Sequence, residues 1–199
     1  MEQKLEPLLE EAGANNRVVY FADAVHFVYG AFVACLWSLT RIFVPTPSGR
    51  NRYNVLGAID AISHDLVTVC NTTYINALSV CELLELIAAK HSGCTVPITI
   101  VLDNARYQHC NYVIEKAKSL EIELLFLPSY SPNLNIIERL WKWTKKDCLN
   151  CKYYSKVAEF TEAINRSLMK TKNKENKNEL DTQLSLNFQL YDNSIYNRV

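Results

Sequence analysis

Three almost wholly apolar runs, "RVVYFAD" (17–23), "PITIVLDN" (97–104) and "IELLFLP" (122–128), divide the chain. Runs of this length and character predict strands covered on both faces. Between the first two, "YNVLGAID" (53–60) and "LVTVCNTTY" (66–74) flank the short polar turn "AISHD", which predicts an antiparallel hairpin. The polar and apolar positions then change period. In 75–90 the apolar residues Leu78, Cys81, Leu84, Ile87 and Ala88 recur at helical spacing, with Gly93 as a stop. Residues 109–120 predict a short helix. Residues 131–149 predict a longer one capped by Ser131 or Asn133, and a last helix covers about 155–170. The stretch Phe27 to Leu39 is apolar but too short to span a membrane, and Arg41 follows closely, so it reads as a buried strand or hairpin. A Pro/Gly/Ser loop, "PTPSGRNR", comes next.

Strands first, then strand–helix–strand–helix, predict an α/β domain with an antiparallel part and a parallel part joined by crossovers. No internal repeat is visible. The organisation expected is a lead-in over 1–16, one domain over 17–170, and a polar, weakly ordered tail over 171–199, where "KTKNKENKNELDTQ" dominates.

Composition adds little to this picture. The 199 residues are 49% hydrophobic and 21% charged, with 21 basic and 21 acidic side chains, so net charge names no partner. The 7 cysteines form no disulfide-like framework, which fits a reducing, cytoplasmic setting. Cys148-x-x-Cys151 has no second pair, so helix-end residues explain it better than zinc. The start, "MEQKLEPLLEE", is acidic and unlike a secretory signal.

The acids that follow the apolar runs carry the candidate chemistry. Asp23 and Asp103 each close such a run, and ligands of open α/β sheets collect at strand ends. Two carboxylates brought together raise one another's pKa unless a cation lies between them. With Glu138 facing them from a helix, they form an oxygen-donor set suited to magnesium. On a helical wheel Leu134, Ile137, Trp141 and Thr144 form one stripe against the sheet, and Glu138 lies at its edge. From 139 to 156 there are six basic residues, Arg139, Lys142, Lys145, Lys146, Lys152 and Lys156, against Asp147 alone. A basic edge beside an acidic cluster suits a polyanion; a solvated face with Glu138–Lys142 pairing is the plainer alternative. His26 and His109 fall near the site, with packing or surface roles expected.

"VLDNARYQHC" followed by "LLFLPSYSPNLNIIERLWKWTKK" closely resembles the catalytic core of mariner-type DDE transposases, particularly their bacterial insertion-sequence relatives. Asp103-Asn104-Ala105 matches the family's signature at the second acid, and Leu127 to Glu138 matches "LPxYSPxLNxIE". The 34 residues between Asp103 and Glu138 are the spacing of one large branch. Ala24, after Asp23, departs from the commonest form, so Asp60 is the rival first acid. The resemblance covers roughly 17–165.

The resemblance implies a ribonuclease-H-like fold of the retroviral-integrase superfamily, a mixed five-stranded sheet with flanking helices. It implies cutting and joining of DNA phosphodiesters with Asp23, Asp103 and Glu138 as catalytic and metal-binding acids. Two Mg2+ ions, replaceable by Mn2+, are the implied cofactors, and without metal the repelling acids stand apart. Double-stranded DNA, at transposon ends and a TA target, is the implied partner, contacted by Arg139, Lys142, Lys145 and Lys146. The active form implied is a homodimer associated with a prokaryotic nucleoid, with no membrane. Helix-turn-helix modules precede the core in that family. Here the core begins within about 20 residues, so a fragment, a decayed copy or the product of a split reading frame is expected, with recognition supplied by a separate N-terminal polypeptide. Two other readings remain: a structure-specific nuclease of the same fold, and an inactive remnant that only binds DNA.

Overall fold

The computed structural model describes residues 2–30, 39–41, 43, 51–128, 134–172, 181–184 and 186. Its elements follow in the order α1 (Glu2–Gly13), β1 (Val18–Val28), β2 (Arg52–Asp60), β3 (Leu66–Asn71), α2 (Ala77–Lys90), β4 (Ile98–Leu102), a 3-10 turn (Arg106–Gln108), α3 (Asn111–Ser119), β5 (Ile122–Phe126), α4 (Ile137–Cys148) and α5 (Val157–Met169). The strands form one five-stranded sheet in the order β3-β2-β1-β4-β5. β1–β2 and β2–β3 are antiparallel, and β1–β4 and β4–β5 are parallel. The expected hairpin and parallel part are both present in one mixed sheet.

The period of two along β1 divides the core. Val19, Phe21, Val25 and Phe27 pack on one face with α1, α4 and α5, while Tyr20 and Ala22 pack on the other with α2 and α3. Asp23 falls on the first face, under α4. β1 does not stop at this acid. Its parallel pairing with β4 ends at Ala22↔Leu102, but its antiparallel pairing with β2 continues from Asp23↔Gly57 to Val28↔Arg52. The alternation persists, Val25 and Phe27 inward and His26 and Val28 outward, and it makes β1 the edge of the antiparallel β1-β2-β3 part after β4 has left. Asp23 therefore sits inside a strand, at the point where its parallel neighbour ends, rather than at a strand terminus as expected from the run.

Other departures have equally local causes. Leu78 is exposed (61%), because the buried residues of α2 (Val80, Cys81, Leu83, Leu84 and Ile87) centre on an arc facing away from it. α2 is capped instead by Asn76, whose Oδ1 accepts from the Ser79 N–H, and Gly93 takes φ +86° just past its end. Leu134 precedes α4 rather than lying on it, yet still packs against the core. The expected caps Ser131 and Asn133 lie outside the described residues. So do 31–38 of the apolar stretch and all of its following loop but Asn51 and Arg52. Phe27 and Val28 finish β1, and Leu39 is exposed. In the lead-in, α1 contributes Leu5 and Ala12 to the core. Within 171–199, Asp181 pairs with His64 and Leu184 is buried.

Candidate active site

Asp103 is the first residue after β4, and Glu138 lies in the first turn of α4. With Asp23, inside β1, they come from three elements that approach one another where β4 leaves the sheet. Burial raises the Asp23 carboxyl most; the charges of Asp103 and Glu138 raise it further. The Ala24 backbone N–H and the Trp141 indole N–H lower it, leaving it at about 6. Burial also raises Glu138, whose carboxylate Lys142 stabilises and Asp103 opposes. Asp103 Oδ1 is buried without a hydrogen-bond partner among the described residues. Asp23 thus feels the charge of both other acids, and Glu138 that of Asp103. Among the described residues, however, no three of His, Cys, Asp or Glu form a ready metal cage.

Asp60, the rival, is differently placed. It ends β2 opposite Tyr20, three positions along β1 from Asp23 and away from Asp103. Its Oδ1 accepts the backbone N–H groups of Ile62 (2.9 Å) and Ser63 (2.7 Å), closing the 61–65 turn. His109 reaches Asn104 Oδ1 through Nε2 and stacks on Phe126, with ring centroids 3.8 Å apart. His26 Nδ1 pairs with Asn54 Oδ1 at 2.7 Å. The basic positions follow α4: Lys142 and Lys146 are exposed, Arg139 and Lys145 half-buried. Cys148 closes α4, its thiol donating to Thr144 O at 3.1 Å, and Cys151 is exposed in the turn beyond.

Three residues near the acids were not singled out for the site from sequence. Tyr107 follows Asp103 by four residues; burial first, then the charges of Asp103 and Asp23, push its hydroxyl up to about 12. Trp141 Nε1 donates to Asp23 Oδ2 at 3.0 Å. Asn135 Nδ2 donates to the Ala22 carbonyl at 3.3 Å. The period of two in β1, which turns Asp23 toward the helix-covered face, was the legible hint for Trp141.

The model of the DDE superfamily endonuclease family matches residues 18–161. No curated protein matches the chain. Among solved structures it is similar to the Mos1 transposase paired-end complex with left transposon end, with a TM-score of 0.60 and 13% identity over 96% of this chain and 61% of that one. The Mos1 mariner paired end complex with Mn gives 0.59 and 13% over 96% and 62%. The simian T-cell lymphotropic virus intasome gives 0.53 and 16% over 78% and 48%. The chain therefore spans between about half and three-fifths of the length of these structures. At such identities the likeness is one of fold. Family match and fold agree: the protein belongs to the DDE superfamily endonucleases and has the ribonuclease-H-like fold of mariner-type transposases and retroviral integrases.

Proposed function

We propose that this chain is the catalytic domain of a transposase that cuts and joins DNA phosphodiesters at transposon ends by divalent-metal-dependent in-line displacement. The observation that carries the reading is the pair Asp23 and Asp103, side by side where β1 and β4 part, with Asp103 Oδ1 buried and without a hydrogen-bond partner among the described residues. A half-buried cluster of like charges destabilises the empty site and favours a cation. The donor set is all oxygen, and the unpartnered Asp103 Oδ1 offers a free lone pair, which fits Mg2+ or Mn2+. Asp23 would hold two ions jointly, with Asp103 and Glu138 each favouring one. Bound there, the ions supply Lewis-acid stabilisation of the entering and leaving oxygens of the scissile phosphate.

The chain's own groups supply position. Lys142 and Lys146, exposed on the helix that carries Glu138, would contact backbone phosphates, with Arg139 and Lys145 beside them. Such contacts orient DNA without reading its sequence. Displacement by water or a 3′-hydroxyl needs no protein nucleophile. The paired-end Mos1 complexes support a pair of copies acting on two transposon ends. A TA target and a separate helix-turn-helix polypeptide complete the proposal.

The test incubates the full chain with supercoiled plasmid and with pre-cleaved transposon-end DNA, in Mg2+, Mn2+ or chelator. Nicking and strand joining in either metal, and neither in chelator, are expected. Nicking without joining would favour a structure-specific nuclease of the same fold. Binding without nicking would leave a DNA-binding remnant.

A further inference from the structure

Glu138 has a hydrogen-bonding neighbour three residues away on each side. Both neighbours are buried, and both bond to consecutive residues of β1. Asn135, just ahead of α4, donates Nδ2 to the carbonyl of Ala22. Trp141, one turn after Glu138, donates Nε1 to Asp23 Oδ2. The indole is 4% exposed and has a fitted seat. Gly57, the β2 partner of Asp23, lies on the α4 face between Val55 and Ile59. A Cβ built there would stand 2.6 Å from Trp141 Cη2, 3.0 Å from Cζ2 and 3.2 Å from Ile137 Cδ1. The missing side chain on β2 leaves the space that the ring fills, and the ring then points its N–H at the carboxylate on the neighbouring strand.

We propose that Asn135 and Trp141 are positioning residues: a two-point latch that fixes the first turn of α4 on β1 and so holds Glu138 at a set distance from Asp23. The role rests on the proposed function, because a set separation matters only if the two acids share a ligand. It follows from the geometry of the donors. A helix held on a sheet by apolar packing alone can slide or roll by fractions of an ångström. Two directional bonds one helical turn to either side of Glu138 remove that freedom. The Trp141 bond also orients the Asp23 carboxyl, leaving Oδ1 directed away from the indole. Groups that orient the ligands of a metal matter about 10–100-fold in its affinity.

Two readouts test the latch. In metal-free protein, the Trp141 indole N–H resonance, assigned by its loss in Trp141→Phe and not in Trp143→Phe, is expected to shift when Asp23 is changed to Asn. Manganese binding followed by electron spin resonance is expected to weaken about tenfold or more in Trp141→Phe and in Asn135→Ala. Trp143→Phe, a change in the same helix outside the latch, is the control and should weaken binding by less than the roughly tenfold expected of the latch variants. In nicking assays the loss should fall on kcat, with KM for DNA little changed. If Trp141→Phe does not fold, Asn135→Ala carries the same test. An indole resonance indifferent to Asp23→Asn, or wild-type manganese affinity in both latch variants, would overturn the proposal. A wild-type chain that neither binds manganese nor nicks, yet shows the Asp23-dependent resonance, would sink the proposed function and support the latch.

Discussion

Asp23 and Asp60 look alike in the sequence: each follows an apolar run on a strand, and the two strands pair with one another. Their surroundings differ completely. Asp60 has its Oδ1 occupied by two backbone N–H groups, and its charge closes a turn. Asp23 receives one backbone N–H and one indole N–H, lies under a helix, and faces two further carboxylates. One acid is satisfied by the protein itself; the other is left in need of a positive charge. A buried anion without a built-in cation costs stability, and folds keep such groups where something else is bound. That contrast, more than either residue's place after an apolar run, makes Asp60 a turn residue and Asp23 the acid proposed for the site.

The largest expected effect comes from removing charge on the needy side. Asp103→Asn should abolish metal-dependent nicking, a loss of at least about a thousandfold, with the melting temperature little changed. An amide of the same shape lacks the charge that the ion requires. Retained nicking in a plasmid-relaxation assay would break the comparison at once.

The seat between the two regions should respond next. Gly57→Ala forces a Cβ against the Trp141 ring and Ile137, and overpacking of this kind costs about 1–3 kcal/mol. Gly30→Ala, with nothing within 4 Å of the added carbon, should stay within about 0.5 kcal/mol. Urea titrations of the two variants provide the check.

The pH dependence carries a definite sign. Asp23 has its folded-state value raised from 3.8 to about 6, so between those limits the folded chain holds a proton that the unfolded chain has released. Stability from this group is therefore present at low pH and is lost as pH rises through about 6, by up to about 3 kcal/mol. Without metal, Asp23→Asn should melt higher than wild type at pH 7.5 and lose about half of that advantage near pH 5; millimolar Mg2+ should narrow the gap by binding wild type alone. Scanning calorimetry at the two pH values decides it.

The smallest effect concerns DNA. Replacing Lys142 and Lys145 together should weaken binding about equally on every duplex and flatten the salt slope by roughly two charges. Anisotropy titrations should show less than tenfold preference, about 1.4 kcal/mol, for an element end over scrambled DNA. A larger preference would mean that this chain reads bases itself.

Part of this is legible in the sequence. Asp103 could be read because a strand that ends in an acid leaves a local trace, and Glu138 because a wheel puts it at the rim of a packed stripe. Asp23 could be preferred to Asp60 but not separated from it, since the distinguishing facts are which strand each pairs with and how far along. The run "VVYFAD" looked finished at its acid because the next residues alternate instead of continuing apolar; that alternation is the continuation of β1 along β2 as an edge strand. Asn135 and Trp141 read as motif and core. Their bonds to Ala22 and Asp23 cross more than 110 residues, a register that no periodicity encodes. The packing of α1 was missed because Leu5 and Ala12 are sparse apolar positions in an acidic segment, and only the sheet beneath makes them a face.

The most direct test sets the two acids side by side. Asp23→Asn and Asp60→Asn, each purified as the full chain and shown to be folded, are assayed for nicking of supercoiled DNA in Mn2+. Asp23→Asn should give no product above the chelator control, and Asp60→Asn should nick within about threefold of wild type, as for a residue outside the reacting site. Nicking retained by Asp23→Asn and lost by a folded Asp60→Asn would contradict the account.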